Sequence, residues 1–513
     1  MKQLFFLLTI SLSAFSQTNT ATMTDRAAAR FLDQATWGPT PEAISALENI
    51  GITNWFEAQF SAMASDLPDQ PILNAAGKRN SNLAPVQAAF FQNVVSGPDQ
   101  LRQRVAFALS EIWVVSQTTV PSAYAFPPYW RIFRKNAFRN YRDIVREVTL
   151  SPAMGTFLNM ANNNKANANK GTAANENYAR ELMQLFTLGL TELKPDGSPV
   201  LDANNNPVPT YNQAVVTQVA KALTGWTYPT APGATAKNNN PEYYYGRMHA
   251  VEAEHDTTSK AIFNNLTIPA GQTAEQDLDT VIDDLMKQPT MAPFVSKQLI
   301  QHLVTSNPSP AYVQRISQVF TTKEGDLKSV VTAILTDPEA RAGDADNAPL
   351  NATFGHLREP VLFFSSMLRG LNAAVGPTSS LSTYSQELGQ YVFVAPSVFS
   401  YFSPQNQVEG GLYGPEFQIY STQTAADRAN IVSGVLYGSL DKTTTVDLSP
   451  FVKKAGSVNN LVNYIDTIFM HSGMSSALTV AATTAANAQP TALAKAQAAL
   501  YVVLTSNEYQ VVH

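Results

Sequence analysis

The chain has 513 residues, with 34 Lys and Arg against 40 Asp and Glu for a net charge of −6, and only 14% of its residues are charged. An average domain carries roughly 25%, and without a basic block the composition argues against nucleic acid as a partner. With 0 Cys, disulfides, thiolate zinc sites, iron–sulfur clusters and thioether-linked haem are excluded, so a buried core must hold the fold, which a chain of this length can build.

Lys2, an apolar run over residues 4–12 broken by Thr9 and Ser11, and then Ala14-Phe15-Ser16 have the charged, apolar and small-x-small order of a secretory signal peptide spanning residues 1–16. The run is short of the ~20 residues that cross a bilayer, and no later segment reads as transmembrane. The expectation is a secreted or periplasmic protein starting at Gln17, with no cysteine there to carry a lipid.

Asp25 opens the first helical pattern, and Thr40 caps the next with Pro41 at its first position. Gly97-Pro98-Asp99 precedes an apolar face through Leu101, Val105, Leu109 and Ile112. The same periodicity predicts helices at 141–150, 211–224, 275–287, 291–304, 309–320, 326–336, 358–371, 424–437, 457–471 and 490–505. Residues 161–175, rich in Asn, Ala and Lys, read as a mobile loop. Pro195-Asp196-Gly197 and Asn204-Asn205-Asn206-Pro207 are turn signals, and 227–268 is rich in Tyr, Gly and Pro. The expected fold is mainly α: a multi-helical globular body over 17–513 as one module, with a small β-rich or irregular insertion at about 193–268.

Two segments concentrate groups able to do chemistry. In Asn175-Glu-Asn-Tyr-Ala-Arg-Glu-Leu-Met-Gln-Leu-Phe-Thr-Leu-Gly189, helical spacing gathers Glu176, Asn177, Arg180, Glu181 and Gln184 on one arc. That arc is either an ordinary solvated face with a Glu176–Arg180 pair or the wall of a cleft. In the cleft reading, Glu181 is a general base or metal ligand and Arg180 an anion clamp. The second segment, residues 249–260, holds His249, Glu252, Glu254, His255 and Asp256. Imidazole and carboxylates suit a divalent metal, although the spacing matches no defined motif and a charged hairpin explains it too. Asp202-x-Asn204-x-Asn206 begins like a calcium loop, but Pro207 and Gln213 stand where glycine and glutamate are required. His302 lies among Leu299 and Leu303 and reads as a core histidine; His356 precedes a helix start. No Gly-x-Ser-x-Gly elbow, phosphate loop, dinucleotide fingerprint or His-Glu-x-x-His is found.

The 175–189 segment, followed by Ala222-Leu-Thr-Gly-Trp226, resembles the signature of the bacterial domain-of-unknown-function 1800 family. So do Phe31-Leu-Asp-Gln-Ala-Thr-Trp-Gly-Pro-Thr40, Pro152-Ala-Met-Gly-x-Phe-Leu158, His255-Asp256 with Lys260, and 303–313. Arg358-Glu-Pro360, Ala395-Pro-Ser-Val-Phe399, Gly414-Pro-Glu-Phe-Gln418 and Ser506-Asn-Glu-Tyr-Gln510 fit as well. The resemblance runs from about residue 24 to the end. It implies an exported, mainly helical protein of unestablished activity, and as a partner a secreted, sulfatase-like protein of the domain-of-unknown-function 1501 family. The family's polar signature falls on Asn175, Glu176, Asn177, Arg180, Glu181, His255, Asp256 and Lys260, while Gln184 and Val215 replace acidic residues more usual there.

The expectation from these readings is a secreted hydrolase, working with or without a divalent metal, that acts on an extracellular or envelope polymer or ester. Its expected catalytic set is Glu181, Arg180, His255, Asp256, Glu176 and Asn177, and its expected metal ligands are His255, Asp256 and Glu181. The competing reading is a non-enzymatic assembly or polymer-binding protein whose signature residues tie helices together.

Overall fold

The computed structural model describes residues 23–513 apart from 264, 265, 347, 349, 350, 352 and 439. The signal peptide expected over residues 1–16 lies outside the described residues.

Helices dominate, and the strands are four antiparallel pairs of two-residue segments. The starts follow the capping chemistry of the sequence: Thr24 accepts from Ala27 N, Thr40 from Ala43 N ahead of Pro41, and Thr273 forms a reciprocal box with Gln276. Tyr141–Thr149, Gln213–Ala222, Ala274–Leu285, Met291–Leu303, Pro310–Thr322, Leu327–Thr336, Pro360–Gly370, Thr422–Leu436, Val458–Met470 and Ala492–Leu504 stand where periodicity puts them. Their ends differ from expectation only as helix boundaries ordinarily do. The pattern gives no sign of Ala84–Ser96, Phe126–Asn136 or Ser476–Asn487. The second opens on Phe126-Pro127-Pro128, and the third is built of Ala, Thr and Ser with little apolar contrast.

The 190–268 region is irregular as expected: bridges join Thr191 to Pro209, Leu193 to Pro199 and Leu201 to Pro207 around the helix Gln213–Ala222. Trp226–Thr227 pairs with His249–Ala250, and Lys260–Ala261 with Thr267–Ile268. The Asn-rich loop is tied at its base, where Asn163 donates to Asn175 O and accepts from Asn175 N.

The chain closes on itself near its end. Val511–Val512 pairs with His356–Leu357, and Arg358 N donates to Gln510 O. The Arg358 guanidinium then makes a bidentate pair with Asp33 of the first helix, at 2.8 and 2.6 Å, and donates to Tyr509 O. His471 Nε2 lies 3.1 Å from Asp33 Oδ2. Burial would push the Asp33 carboxyl up, but Arg358 and His471 outweigh it and hold it far below the usual range. This stabilisation is therefore present above about pH 4, the ordinary carboxyl range, and is lost as pH falls below it. Removing one partner of a buried pair leaves the other charge uncompensated. Asp33→Asn should cost about 3–5 kcal/mol in urea unfolding at pH 7, and the deficit relative to wild type should shrink below pH 4.

Candidate functional site

The signature helix is two structures in series: an α-helical turn, Asn177–Glu181, runs into a π-helix, Leu182–Thr187. Asn175 Oδ1 accepts from Asn177 N at 2.9 Å, and Asn177 Nδ2 donates to Asn159 Oδ1 at 3.1 Å. Glu176 accepts from Gln213 Nε2 (2.7 Å), Thr217 Oγ1 (2.8 Å) and Arg180 (3.1 Å), and Arg180 also donates to Gln213 Oε1 (3.0 Å). Burial would raise the Glu176 carboxyl, but these donors together outweigh it and hold the group below its usual range. Glu176 and Arg180 are thus spent on docking the helix Gln213–Ala222. Glu181 differs: burial pushes its carboxyl up against the pull of Arg180, and its Oε2 has no hydrogen-bond partner, nor has the nearby Tyr211 hydroxyl.

His255 is fully buried. Its Nδ1 donates to Thr224 O at 2.9 Å, and its Nε2 lies 3.2 Å from Asp277 Oδ2. Lys260, also buried, puts Nζ 2.8 Å from the same Asp277 oxygen and donates to Thr258 O. Asp256 Oδ1 accepts from Thr258 N and Oγ1; burial would raise this carboxyl, but the two bonds hold it below the ordinary range. Gly225 makes the packing possible. Its φ of +86° is open to glycine, and a Cβ there would stand 2.9 Å from the His255 backbone nitrogen.

The two segments sit at opposite ends of the helix Gln213–Ala222, one bonded to Gln213 and Thr217 and the other to Thr224. Seven residues of helical rise is roughly 10 Å. The hydrogen bonds of each segment stay within its own end. Among the described residues no three His, Asp or Glu side chains converge to hold a metal ion. His255, Asp256 and Glu181 are accordingly not brought together as a ligand set.

A different cluster has the makings of a reactive centre. A small pocket is lined by Glu111 and Ile112 at the end of Gln100–Ile112, by Gln298, Gln301 and His302 of Met291–Leu303, and by Leu185 of the π-helix. The loop residues Val398, Phe399, Ser400, Phe402 and Pro404, with Pro415 and Glu416, complete it. The π-turn thus contributes its apolar side to the pocket, with Phe186 stacked on Trp113 at 4.2 Å. Behind Glu111 lies the buried Glu359, and Gln390 Nε2 donates to both carboxyls, at 3.0 Å to Glu111 Oε1. Burial pushes Glu111 up to about 7; burial and the charge of Glu111 push Glu359 well above the usual carboxyl range.

The second oxygen, Glu111 Oε2, has no hydrogen bond and lies 3.4 Å from His302 Nδ1. Burial lowers the proton affinity of the His302 imidazole, which is therefore neutral at pH 7. Glu416 Oε2 and Gln298 Nε2 are likewise buried and unpartnered, while Glu416 Oε1 lies 3.5 Å from His356 Nδ1. Buried polar groups are almost always hydrogen-bonded, so several unmet ones around one pocket point to a ligand site. Ser400 adds a left-handed backbone, φ +63°.

Glu111, Glu359, His302 and Glu416 were not legible as a set, being spread over some 300 residues. The available signal was a lone acid in the apolar stretch Leu109-Ser-Glu-Ile-Trp113. Three segments carrying the family resemblance also meet here: Arg358-Glu-Pro360, 395–399 and 414–418.

A second, open and polar groove of about 1330 Å³ is lined by the Asn-rich loop, including Asn159, Asn164, Lys165, Asn167 and Lys170, together with Tyr228 and Glu242.

The contrast between a saturated and an unsaturated cluster is measurable. Asp277→Asn should lose about 3–5 kcal/mol in urea unfolding, since the buried Lys260 ammonium loses its counter-charge. Glu181→Gln removes a half-buried carboxyl without a bonded partner and should shift stability by less than about 1 kcal/mol.

No curated protein and no solved structure matches this chain. Residues 30–511 match the family described as a protein of unknown function, DUF1800. The match covers nearly the whole chain and brings in the segments that line the pocket as well as the signature helix; the protein belongs to the DUF1800 family.

Proposed function

We propose that the protein is an exported hydrolase of an extracellular or envelope polymer or ester, with Glu111 rather than Glu181 or His255 at its reactive centre. The observation that carries this is the free Oε2 of a buried carboxyl whose proton affinity sits near 7, facing a pocket beside a neutral imidazole. Catalytic acids and bases work best with proton affinities near the operating pH.

The chemistry follows from the charges. Protonated Glu111 donates to the oxygen that leaves as its bond to carbon breaks. Water adds at that carbon, and neutral His302 takes the proton the water gives up. Return of that proton across the 3.4 Å contact from His302 to Glu111 resets both groups. Gln390, which donates to Glu111 and Glu359 together, orients the Glu111 carboxyl. No metal enters this scheme.

Glu111→Gln should lower turnover of chromogenic esters or dyed polysaccharides by about 10²–10⁴-fold, the usual share of a general acid, while the circular dichroism spectrum stays native. Wild-type turnover should fall as pH rises through about 7, where Glu111 loses its proton. Undiminished hydrolysis by Glu111→Gln ends this assignment.

The polar groove favours an additional role in docking a hydrated polymer, through its amides and the Lys165 and Lys170 ammonium groups. The Lys165→Ala/Lys170→Ala double variant should be retained less by immobilised acidic polysaccharide and should hydrolyse small esters normally. Equal retention removes the groove from consideration.

A further inference from the structure

We infer that the Glu111 pocket receives a primary ammonium group on an aliphatic stem, anchored at Glu416. The inference rests on the hydrolase reading for the reaction, but its support is the lining of the pocket. The acidic groups that face it, Glu111 and Glu416, are buried and each leaves one oxygen without a donor. No lysine or arginine lines the pocket. Arg104, whose charge acts on Glu111 and Glu416, is 1% exposed, is not part of the lining and gives one of its nitrogens to His302 O.

Each class of polar ligand would meet that lining differently. A carboxylate or phosphate would meet two carboxyl groups and no counter-charge. A hydroxyl brings one donor and two acceptors: it can answer Gln298 Nε2 and one carboxyl oxygen but leaves the second carboxyl unmet. An ammonium group brings three donors and no acceptor, which suits the open oxygen of Glu416 together with that of ionised Glu111.

The walls suit what such a group would be attached to. Leu185, Val398 and Phe402 offer apolar surface for an alkyl stem, and the rings of Phe399 and Phe402 add attraction for a cation. Phe399 is 44% exposed at the pocket, where the stem leaves it. His356, 3.5 Å from Glu416 Oε1, holds Glu416 from behind, so that Oε2 is the oxygen left for the ligand. The substrate class that follows is an ester or polymer that bears an amine on the group entering this pocket.

The test is calorimetric titration of the full chain with n-butylammonium, n-butanol and n-butyrate at pH 7.5. Butylammonium should bind at least about tenfold tighter than butanol, a difference of about 1.4 kcal/mol, and butyrate should not bind. Glu416→Gln should abolish the preference for the cation. If that variant fails to fold, Phe399→Ala serves: it should weaken butylammonium and butanol together and leave their ratio intact. Equal affinity for amine and alcohol, tighter binding of butyrate, or no binding of butylammonium overturns the inference. Binding is read here without turnover. A negative result therefore leaves the hydrolase reading standing, and normal hydrolysis by Glu111→Gln would leave the amine site standing.

Discussion

The bidentate contact between Arg358 and Asp33 is the constraint on which most of the architecture depends. It joins the first helix to the start of Pro360–Gly370, and through Tyr509 O and His471 it takes in the segments around those residues as well. Its effect reaches the pocket because the next residue in the chain is Glu359. Arg358 turns one way to Asp33, Glu359 turns the other way to Gln390 and Glu111, and Pro360 then starts the helix at once. With both neighbours committed, Glu359 has little freedom to leave the carboxyl pair. The rigidity that a reactive carboxyl needs is thus borrowed from an ion pair that takes no part in the chemistry.

The protein is sparing with charge, yet it buries an unusual amount of it. The buried charges fall into two kinds. In Asp33 with Arg358, and Asp277 with Lys260 and His255, opposite charges meet, and backbone carbonyls take up further hydrogens. Such groups are costly to disturb and chemically quiet. Glu111, Glu359 and Glu416 gather like charges with too few donors. Nothing in the stability of a fold asks for that arrangement, and shifted proton affinities of this origin collect at functional sites.

Much of the fold could be read from residue order. Where apolar positions recur with a period near 3.6 and a capping residue precedes them, as at Thr273 or Ser309, the helix is found in place. The failures have physical reasons. Phe126–Asn136 starts on two prolines that resemble a loop, and Ser476–Asn487 is packed by alanines that leave no stripe to detect. The site was less legible. The clustering of acids and histidines in 175–189 and 249–260 is visible locally, but local density records hydrogen bonding as readily as chemistry. His255 and Glu176 turn out to hold neighbouring elements together. His302 reads as a core histidine because its neighbours Leu299 and Leu303 are buried, although 18% of its own side chain is exposed and it lines the pocket. Acids brought together from residues 111, 359 and 416 leave no periodic trace, since their meeting is a property of the tertiary fold.

The contacts that close the molecule also set the order in which it can form. Arg26 reaches Ser472 O across 446 residues, and Asp33 reaches Arg358 across 325. Contacts so distant in sequence form late, because the intervening chain must be gathered before they add anything. The strand Val511–Val512, which completes the pairing beside Arg358, is by the same reasoning among the later contacts to form. Until Arg358 and His471 are in place, Asp33 of the first helix has no counter-charge.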